Sequence, residues 1–229
     1  MKISIIVPVY NEIRTINQIL TKISEVNLPG ICEKEIIIVD GHSTDGTREF
    51  LCKYCRNRDI KLILEEKRSG KGMAVRKGFK EASGNIIVIQ DADLESDPNE
   101  YAKLLQPILG NETRVVYGSR FSNGRGFASW GSYLGNQIVT WALNIVFFCR
   151  LSDVATVYKV FLRDVVKELR FECTGFDFDV ELTAKIIKKN RIKEVPISYI
   201  PRNKQDGKKL HWSIGFKALY LILKYRFVK

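Results

Sequence analysis

Cysteine and histidine are scarce in this chain, with five of the first and two of the second among 229 residues. An odd, scattered set of cysteines makes no disulfide framework, and the cytosol is the expected compartment. Cys52 and Cys55 are a close pair, but they fall late in a helical stretch, away from the amino end where a redox thiolate is stabilised. No second pair or nearby histidine completes a zinc site, so they read as structural. His42 and His211 are far apart, and neither is given a catalytic role. No run of about 18 apolar residues occurs, so no transmembrane helix is expected. The apolar amino-terminal stretch is broken by Pro8, Asn11 and Glu12, which does not suit a signal peptide. Internal repeats and low-complexity segments are absent.

What is present is an ordinary globular balance, 45% hydrophobic and 28% charged, with an unusual formal charge of +11. The length suits one α/β domain with a sizeable core. The basic excess favours a polyanionic partner: nucleic acid, a phosphorylated substrate or an anionic membrane surface.

Strand and helix patterns alternate through the first half. Strands are expected at 2–9, 35–39, 60–64 and 86–89, and helices at 15–25, 48–56 and 73–82. That alternation argues a parallel, doubly wound sheet. Beyond Pro98 the pattern loosens. Helices are expected at 99–109, 132–148, 164–169, 179–190 and 214–227, and extended segments at 114–118, 152–161 and 195–200. No linker divides the chain. The expectation is a single domain over residues 1–229, with an alternating half, 1–97, and a looser half, 98–229.

The organising stretch is residues 85–97, where the β-branched run Ile86–Ile89 is followed by Asp91, Asp93 and Glu95. Carboxylates at the carboxyl edge of such a strand face the crevice where α/β proteins bind ligands. Alternate residues share a direction, so Asp91 and Asp93 can reach one divalent cation, with phosphates and water completing its shell. The plainer alternative is an acidic turn capping the helix near Pro98. Tyr10 with Glu12, and Asp40, lie at two other strand ends on the same edge, which together suit a nucleotide site, although Asp40 and Asp45 also suit helix caps. The loop Lys67-Arg68-Ser69-Gly70-Lys71-Gly72 adds cations and a flexible backbone there, but has the glycine spacing of neither a dinucleotide fingerprint nor a P-loop.

Taken in order, Ser4-Ile-Ile-Val-Pro-Val-Tyr-Asn-Glu12, Ile38-Val-Asp40, Ser43-Thr-Asp-Gly-Thr47 and Gln90-Asp-Ala-Asp-Leu94 resemble family 2 glycosyltransferases of the GT-A fold. Gly118-Ser-Arg-Phe121, Gly135-Asn136, Asp153, Thr156-Val-Tyr-Lys159, Glu194-Val-Pro-Ile-Ser-Tyr199, Arg202 and Gly207-Lys-Lys209 look like the dolichyl- or polyprenyl-phosphate sugar synthases. The resemblance runs over residues 3–226. It implies a GT-A, Rossmann-like, mostly parallel sheet flanked by helices, and an inverting transfer of a hexose, mannose preferred, from a nucleotide sugar to a polyprenyl phosphate. By the same resemblance, Pro8, Tyr10, Glu12, Asp40, Lys71, Asp91 and Ala92 hold the nucleotide. Asp91, Asp93 and Glu95 bind Mg²⁺ or Mn²⁺, and Arg120, Lys159, Arg202 and Lys208 hold donor or acceptor phosphates. Asp91, Asp93 and Arg120 are the expected catalytic residues, with no essential base. The chain departs from the family pattern at Gly41, where a second aspartate is common, at Glu95 for glutamine, and at Val157 for glycine or cysteine.

Two helices are the candidate membrane contacts. Residues 132–148, with Trp141, Phe147 and Phe148 and Trp130 just before them, form a nearly uncharged helix whose alternative is core packing. The terminal helix sets Leu219, Ile222 and Leu223 among Lys217, Lys224, Arg226 and Lys229, as on an anionic lipid surface. Peripheral attachment to the cytoplasmic face is the expectation. GDP-mannose and UDP-sugars (glucose or N-acetylhexosamine) both stay open as donors. A basic membrane- or nucleic-acid-binding module is the non-enzyme alternative, against which stands the absence of any recognised nucleic-acid motif.

Overall fold

The structure is a computed structural model that describes residues 1–121, 130–175, 177–201 and 213–227. Strands β1 (Lys2–Val9), β2 (Glu33–Asp40), β3 (Ile60–Leu64) and β4 (Ile86–Ile89) alternate with helices α1 (Ile16–Glu25), α2 (Thr47–Cys55) and α3 (Lys71–Glu81). A 3₁₀ turn at Pro98–Glu100 leads into α4 (Tyr101–Leu109), then β5 (Val115–Ser119) and α5 (Trp130–Phe147). There follow β6 (Lys159–Leu162), α6 (Arg163–Lys167), α7 (Phe178–Ile187), β7 (Ile192–Pro196) and α8 (Ser213–Phe227).

Among the described residues these strands form one seven-stranded sheet in the order β3-β2-β1-β4-β6-β5-β7. Every pairing is parallel except those of β6, which runs against both β4 and β5. The β-branched runs of β1, β2 and β4 are buried on both faces, as a parallel sheet covered by helices requires. One face packs Ile3, Ile5 and Val7 against Ile16, Ile19 and Leu20 of α1 and Leu104 and Leu105 of α4. The other packs Ile6, Ile37 and Ile87 against α3, α7 and α8. The chain lays β2 and β3 on one side of β1 and β4 on the other. That reversal opens a crevice at the carboxyl ends of β1 and β4, the usual ligand position in such sheets.

Three expectations need correction. The extended segment 152–161 is a strand only from Lys159, because Ser152 and Asp153 turn to give their amides to Glu194. The last strand is Ile192–Pro196 rather than 195–200, since Val115 of β5 pairs with Ile192 and fixes the register. Helix α3 begins at Lys71, so Lys71 and Gly72 are not in a flexible loop.

The amino edge of the sheet holds a buried carboxylate whose titration is readable. Glu35 accepts hydrogen bonds from the Ser4 hydroxyl, from the Ser83 amide and hydroxyl, and from the Gly84 amide. Burial pushes its pKa up, but these donors outweigh burial and bring it down to about 2 from an ordinary 4.5. A carboxyl depressed on folding stabilises the fold above its unfolded pKa and loses that contribution as pH falls through the folded one. Glu35→Gln should therefore lose about 2–4 kcal/mol at neutral pH, with donors left facing an amide. The gap to the wild type should narrow as pH drops from about 4.5 to about 2, measured by urea denaturation across that window.

Candidate functional site

Register sets the edge. Val9 is level with Asp40, and Asp40 with Leu64. Strand β4 stops at Ile89 opposite Ile6, and the Gln90 amide continues the ladder to the Ile6 carbonyl at 2.9 Å. Past these ends the chain turns sharply. Asn11, His42 and Leu94 take left-handed backbones, with φ of 56°, 68° and 61°. Such conformations cost a non-glycine residue about 1 kcal/mol or more, and they cluster at binding sites.

The loop after β4 is held from below by Gln90. Its carbonyl oxygen accepts the Tyr101 hydroxyl at 2.7 Å and the Tyr158 hydroxyl at 2.8 Å, and its amide nitrogen donates to the Asp91 carbonyl at 2.9 Å. Gln90 is fully buried, so this clamp fixes where Asp91 and Asp93 leave the sheet. Asp93 accepts the Glu95 amide at 3.3 Å, while the Glu95 carboxylate accepts the Tyr199 hydroxyl at 3.0 Å.

Lys71 meets this loop from the first turn of α3. Its ammonium lies 2.8 Å from both carboxylate oxygens of Asp91. Glycines on either side make that possible. Gly70 has φ of 95° against the Thr174 carbonyl, and a Cβ at Gly72 would sit 2.6 Å from Phe178 Cβ. The spacing thus serves close packing that aims Lys71, in place of a phosphate cradle. Burial pulls the Lys71 ammonium down, but Asp91 and Asp179 outweigh it and raise its pKa, so Lys71 stays charged.

Behind Lys71 the charges alternate. Lys159 is fully buried and gives its ammonium to Asp179 at 2.7 Å and to the Thr156 carbonyl at 2.5 Å. Burial lowers its pKa despite Asp179. The expectation that Lys159 holds a phosphate is therefore corrected: its ammonium is spent inside, where it orients Asp179 next to Lys71. Arg120 makes a two-pronged pair with Asp153, Nε at 2.7 Å and Nη2 at 2.8 Å, and lies over the Tyr199 ring. Asn136 donates to the same Asp153 at 2.9 Å. Arg120 thus reaches the crevice rim from a fixed mount.

Asp40 is also deeper than expected. Its fully buried carboxylate takes the Ser43 amide at 3.3 Å and Arg48 Nε at 3.2 Å. It acts on the crevice by shaping the Gly41–Ser43 turn, and no free carboxylate is offered to a ligand. Tyr10 is exposed, with the Arg68 guanidinium 4.2 Å from its ring centre. Pro8 and Glu12 are half-buried beside it, and Ala92 is buried within the acidic loop. Arg202 and Lys208, like Arg125 and His211, lie outside the described residues. Sequence reading missed Arg48 and Asp179, each of which reaches its partner only through the tertiary fold. Gln90 carried a signal: a polar residue closing a β-branched run ahead of two aspartates.

Divalent metal chemistry can be tested against these side chains. Hard carboxylate oxygens on a clamped loop suit Mg²⁺ or Mn²⁺, and one or two such ligands suffice when substrate phosphates supply the rest. Asp91 already draws a cation to both of its oxygens, so positive charge belongs at this point. Asp91 and Asp93 fit. Glu95 fits less well, because its carboxylate is turned to Tyr199, and among the described residues no cluster of three acidic, histidine or cysteine ligands forms. Of the three carboxylates expected from sequence, Asp91 and Asp93 leave the clamped loop together, and Glu95 is held by Tyr199.

A second surface is apolar. Helix α5 carries no charged residue and exposes Trp130, Leu134, Ile138, Trp141 and Ile145, followed by Phe148, at helical spacing along one stripe. Helix α8 packs beside α5 and exposes Phe216, Tyr220, Leu223 and Phe227. Ile222, expected on this outer face, is buried in the core with Leu221 and Tyr225, because the stripe is rotated toward Phe216 and Tyr220. At the carboxyl ends Arg226 sits 5.9 Å from the Phe147 ring centre and 5.6 Å from that of Phe148. Among the described residues no helix is long and apolar enough to cross a membrane.

Residues 4–170 match the family described as Glycosyl transferase family 2. The chain belongs to that family. Among curated relatives, a dolichol-phosphate mannosyltransferase of Pyrococcus furiosus is 29% identical over 91% of this chain and 59% of its own length. An undecaprenyl-phosphate mannosyltransferase of Micrococcus luteus is 24% identical over 91% of this chain and 87% of its own. This family 2 chain thus spans little more than half of the Pyrococcus protein. Among solved structures, glucosyl-3-phosphoglycerate synthase of Mycobacterium tuberculosis with UDP superposes with a TM-score of 0.76 at 21% identity, covering 100% of this chain and 81% of that one. The same enzyme with Mn²⁺, UDP-glucose and phosphoglyceric acid gives a TM-score of 0.72 at 20% identity, covering 100% and 80%. These likenesses establish that the family 2 fold is shared.

Proposed function

We propose that this protein transfers a hexose, mannose preferred, from a nucleotide sugar to a dolichyl or polyprenyl phosphate at a membrane surface, inverting the anomeric carbon. The observation that carries the reading is the Asp91–Asp93 pair, clamped by Gln90 and already countered by Lys71, at the switch-point crevice of a family 2 chain. The two polyprenyl-phosphate mannosyltransferases among its relatives supply the substrate class.

The chemistry is consistent with these groups. A lipid monophosphate has a second pKa near 6 and is mostly dianionic at neutral pH, so its oxygen needs no general base. That oxygen attacks the anomeric carbon, and the bond to the β-phosphate oxygen breaks with its electrons on the leaving nucleoside diphosphate. Asp91 and Asp93 would hold a Mg²⁺ or Mn²⁺ ion, which supplies charge neutralisation to the diphosphate when bound. Lys71, charged and one contact away, can pass from Asp91 to a donor phosphate, and Arg120 faces the rim where the two anions meet. The half-buried Pro8, Tyr10 and Glu12, with the Gly41–Ser43 turn that Asp40 organises, offer the nucleoside a wall. The exposed faces of α5 and α8 would lie on the bilayer and bring the crevice to the lipid headgroup.

Calorimetric titration of GDP and of UDP, each with Mn²⁺ and with chelator, tests the site and separates the donors. One nucleotide should bind in a metal-dependent way, and a synthetic short-chain polyprenyl phosphate should then accept labelled sugar from that nucleotide's donor. Binding of neither nucleotide would sink the transferase reading.

A further inference from the structure

Helix α3 carries Lys71 into the crevice at one end and borders a different concavity at the other. Arg76 and Lys80 of α3, Arg163 and Lys167 of α6, and Arg170 just beyond α6 line a cleft of about 600 Å³. Phe79 and Phe171 form part of its wall, their ring centres 5.9 Å apart. Among the described residues no acidic one lines it.

Topology sets this cleft on the far side of the sheet from Asp91. Ile86, the first residue of β4, pairs with Leu162, the last of antiparallel β6, so α6 starts at the amino edge of β4. Arg163 confirms the placement, with its amide on the Asn85 carbonyl at 2.9 Å and its guanidinium on the Ala82 carbonyl at 3.3 Å. The four residues of β4 separate this edge from the acidic loop, about 13 Å at strand rise. None of the described residues assigned to donor, metal or acceptor lines the cleft.

The charge is uncompensated. Lys80, Lys167 and Arg170 are exposed, Arg76 is half-buried, and none of the four side chains has an ion pair or hydrogen bond among the described residues. Three other cations are paired: Arg114 with Asp164, Lys185 with Glu181, and Lys224 with Glu172. The acids nearest in sequence do not relieve the cleft, since Glu81 and Glu168 are exposed outside its lining and Asp164 is taken by Arg114. Five like charges around one concavity repel each other and attract a multivalent anion. Three of them are guanidinium groups, whose forked donors match phosphate oxygens two at a time. The volume lies within the range of small-ligand sites, and the two rings give the uncharged part of a ligand something to pack on.

We infer that this cleft is a second anion site, which binds a multiply charged phosphorylated ligand, independently of the crevice at the other edge. Two sources share that chemistry: a free polyphosphate or nucleotide, and the headgroup of an anionic phospholipid. Phe171 of the cleft wall is linked to Tyr225 of α8 through the Lys185 ammonium, 5.6 Å from the first ring centre and 4.6 Å from the second.

Titration of the whole protein with tripolyphosphate tests the inference, run beside flotation with phosphatidylcholine vesicles with and without phosphatidic acid. The double variant Lys80→Glu with Arg170→Glu should weaken the responding probe about tenfold or more, since charge-assisted phosphate contacts turn repulsive. Lys71→Met, at the opposite edge, should leave that probe bound. Tripolyphosphate affinity that falls in the double variant assigns a soluble ligand, and a loss confined to phosphatidic acid vesicles assigns a headgroup. If the reversals lower the melting temperature, Lys80→Gln with Arg170→Gln replaces them. Unchanged binding of both probes in the cleft variant, or binding lost only in Lys71→Met, overturns the inference.

Discussion

Asp93→Asn should cut sugar transfer by about 10²–10³-fold, the size of effect seen when one fixed electrostatic partner of a developing charge is removed. The substitution keeps the side chain's volume, and Asn can still accept the Glu95 amide that Asp93 holds at 3.3 Å. The fold should therefore stay intact, with a melting temperature near that of the wild type, while metal-dependent nucleotide binding is lost. Asp91→Asn should lose as much activity and more stability. Lys71 has a side chain only 17% exposed, and both its contacts at 2.8 Å are to Asp91. Taking one partner from a buried pair costs about 3–5 kcal/mol, because the other charge stays behind. Here Asp179 offsets part of that loss, since it too stabilises the Lys71 ammonium. Stability and activity should separate in these two variants, and equal melting temperatures with full activity in Asp93→Asn would remove the acidic pair from the chemistry.

The contrast between the two aspartates also marks what could be read without the fold. The strands β1, β2 and β4 were legible because β-branched runs buried on both faces have few other uses. The acidic loop was legible because polar residues at several strand ends converge on one edge once the sheet is parallel. The direction of β6 was not. Nothing in Lys159-Val-Phe-Leu162 distinguishes a strand running up from one running down, and only its pairing with Ile86 and Val115 decides it. The same limit applies to charge. Lys159 sits in a motif that implies phosphate contact, yet its neighbour Asp179, twenty residues on, captures the ammonium. Arg48 and Asp40 likewise meet only because α2 folds back over the end of β2. Sequence reading located the charges of this site more readily than it located their partners. The basic cleft is the extreme case, since its cations come from two helices and the segment after α6, brought together at the sheet edge opposite the motifs.

Trp141→Glu combined with Tyr220→Glu should abolish most membrane attachment while leaving nucleotide binding untouched. Both side chains are well exposed, at 68% and 64%, on adjoining helices whose inner faces are packed by Leu143 on α5 and by Ala218, Leu221 and Ile222 on α8. Changing the outer face should not disturb those contacts. Large apolar side chains contribute about 1.5–3 kcal/mol each when fully withdrawn from water. Losing two, and adding two carboxylates beside an anionic surface, should lower vesicle partition by about two to three orders of magnitude. Partition can be read by flotation with vesicles of mixed phosphatidylcholine and phosphatidylglycerol. The kinetic consequence follows from where the helices sit. The variant should show a raised KM for a long-chain lipid acceptor and an unchanged kcat for a short, water-soluble one, because the crevice groups are intact and only delivery to the bilayer is lost. If partition matched that of the wild type, the stripe from Trp130 to Phe148 would face something other than lipid. The acceptor would then have to reach Arg120 by a route that does not cross α5.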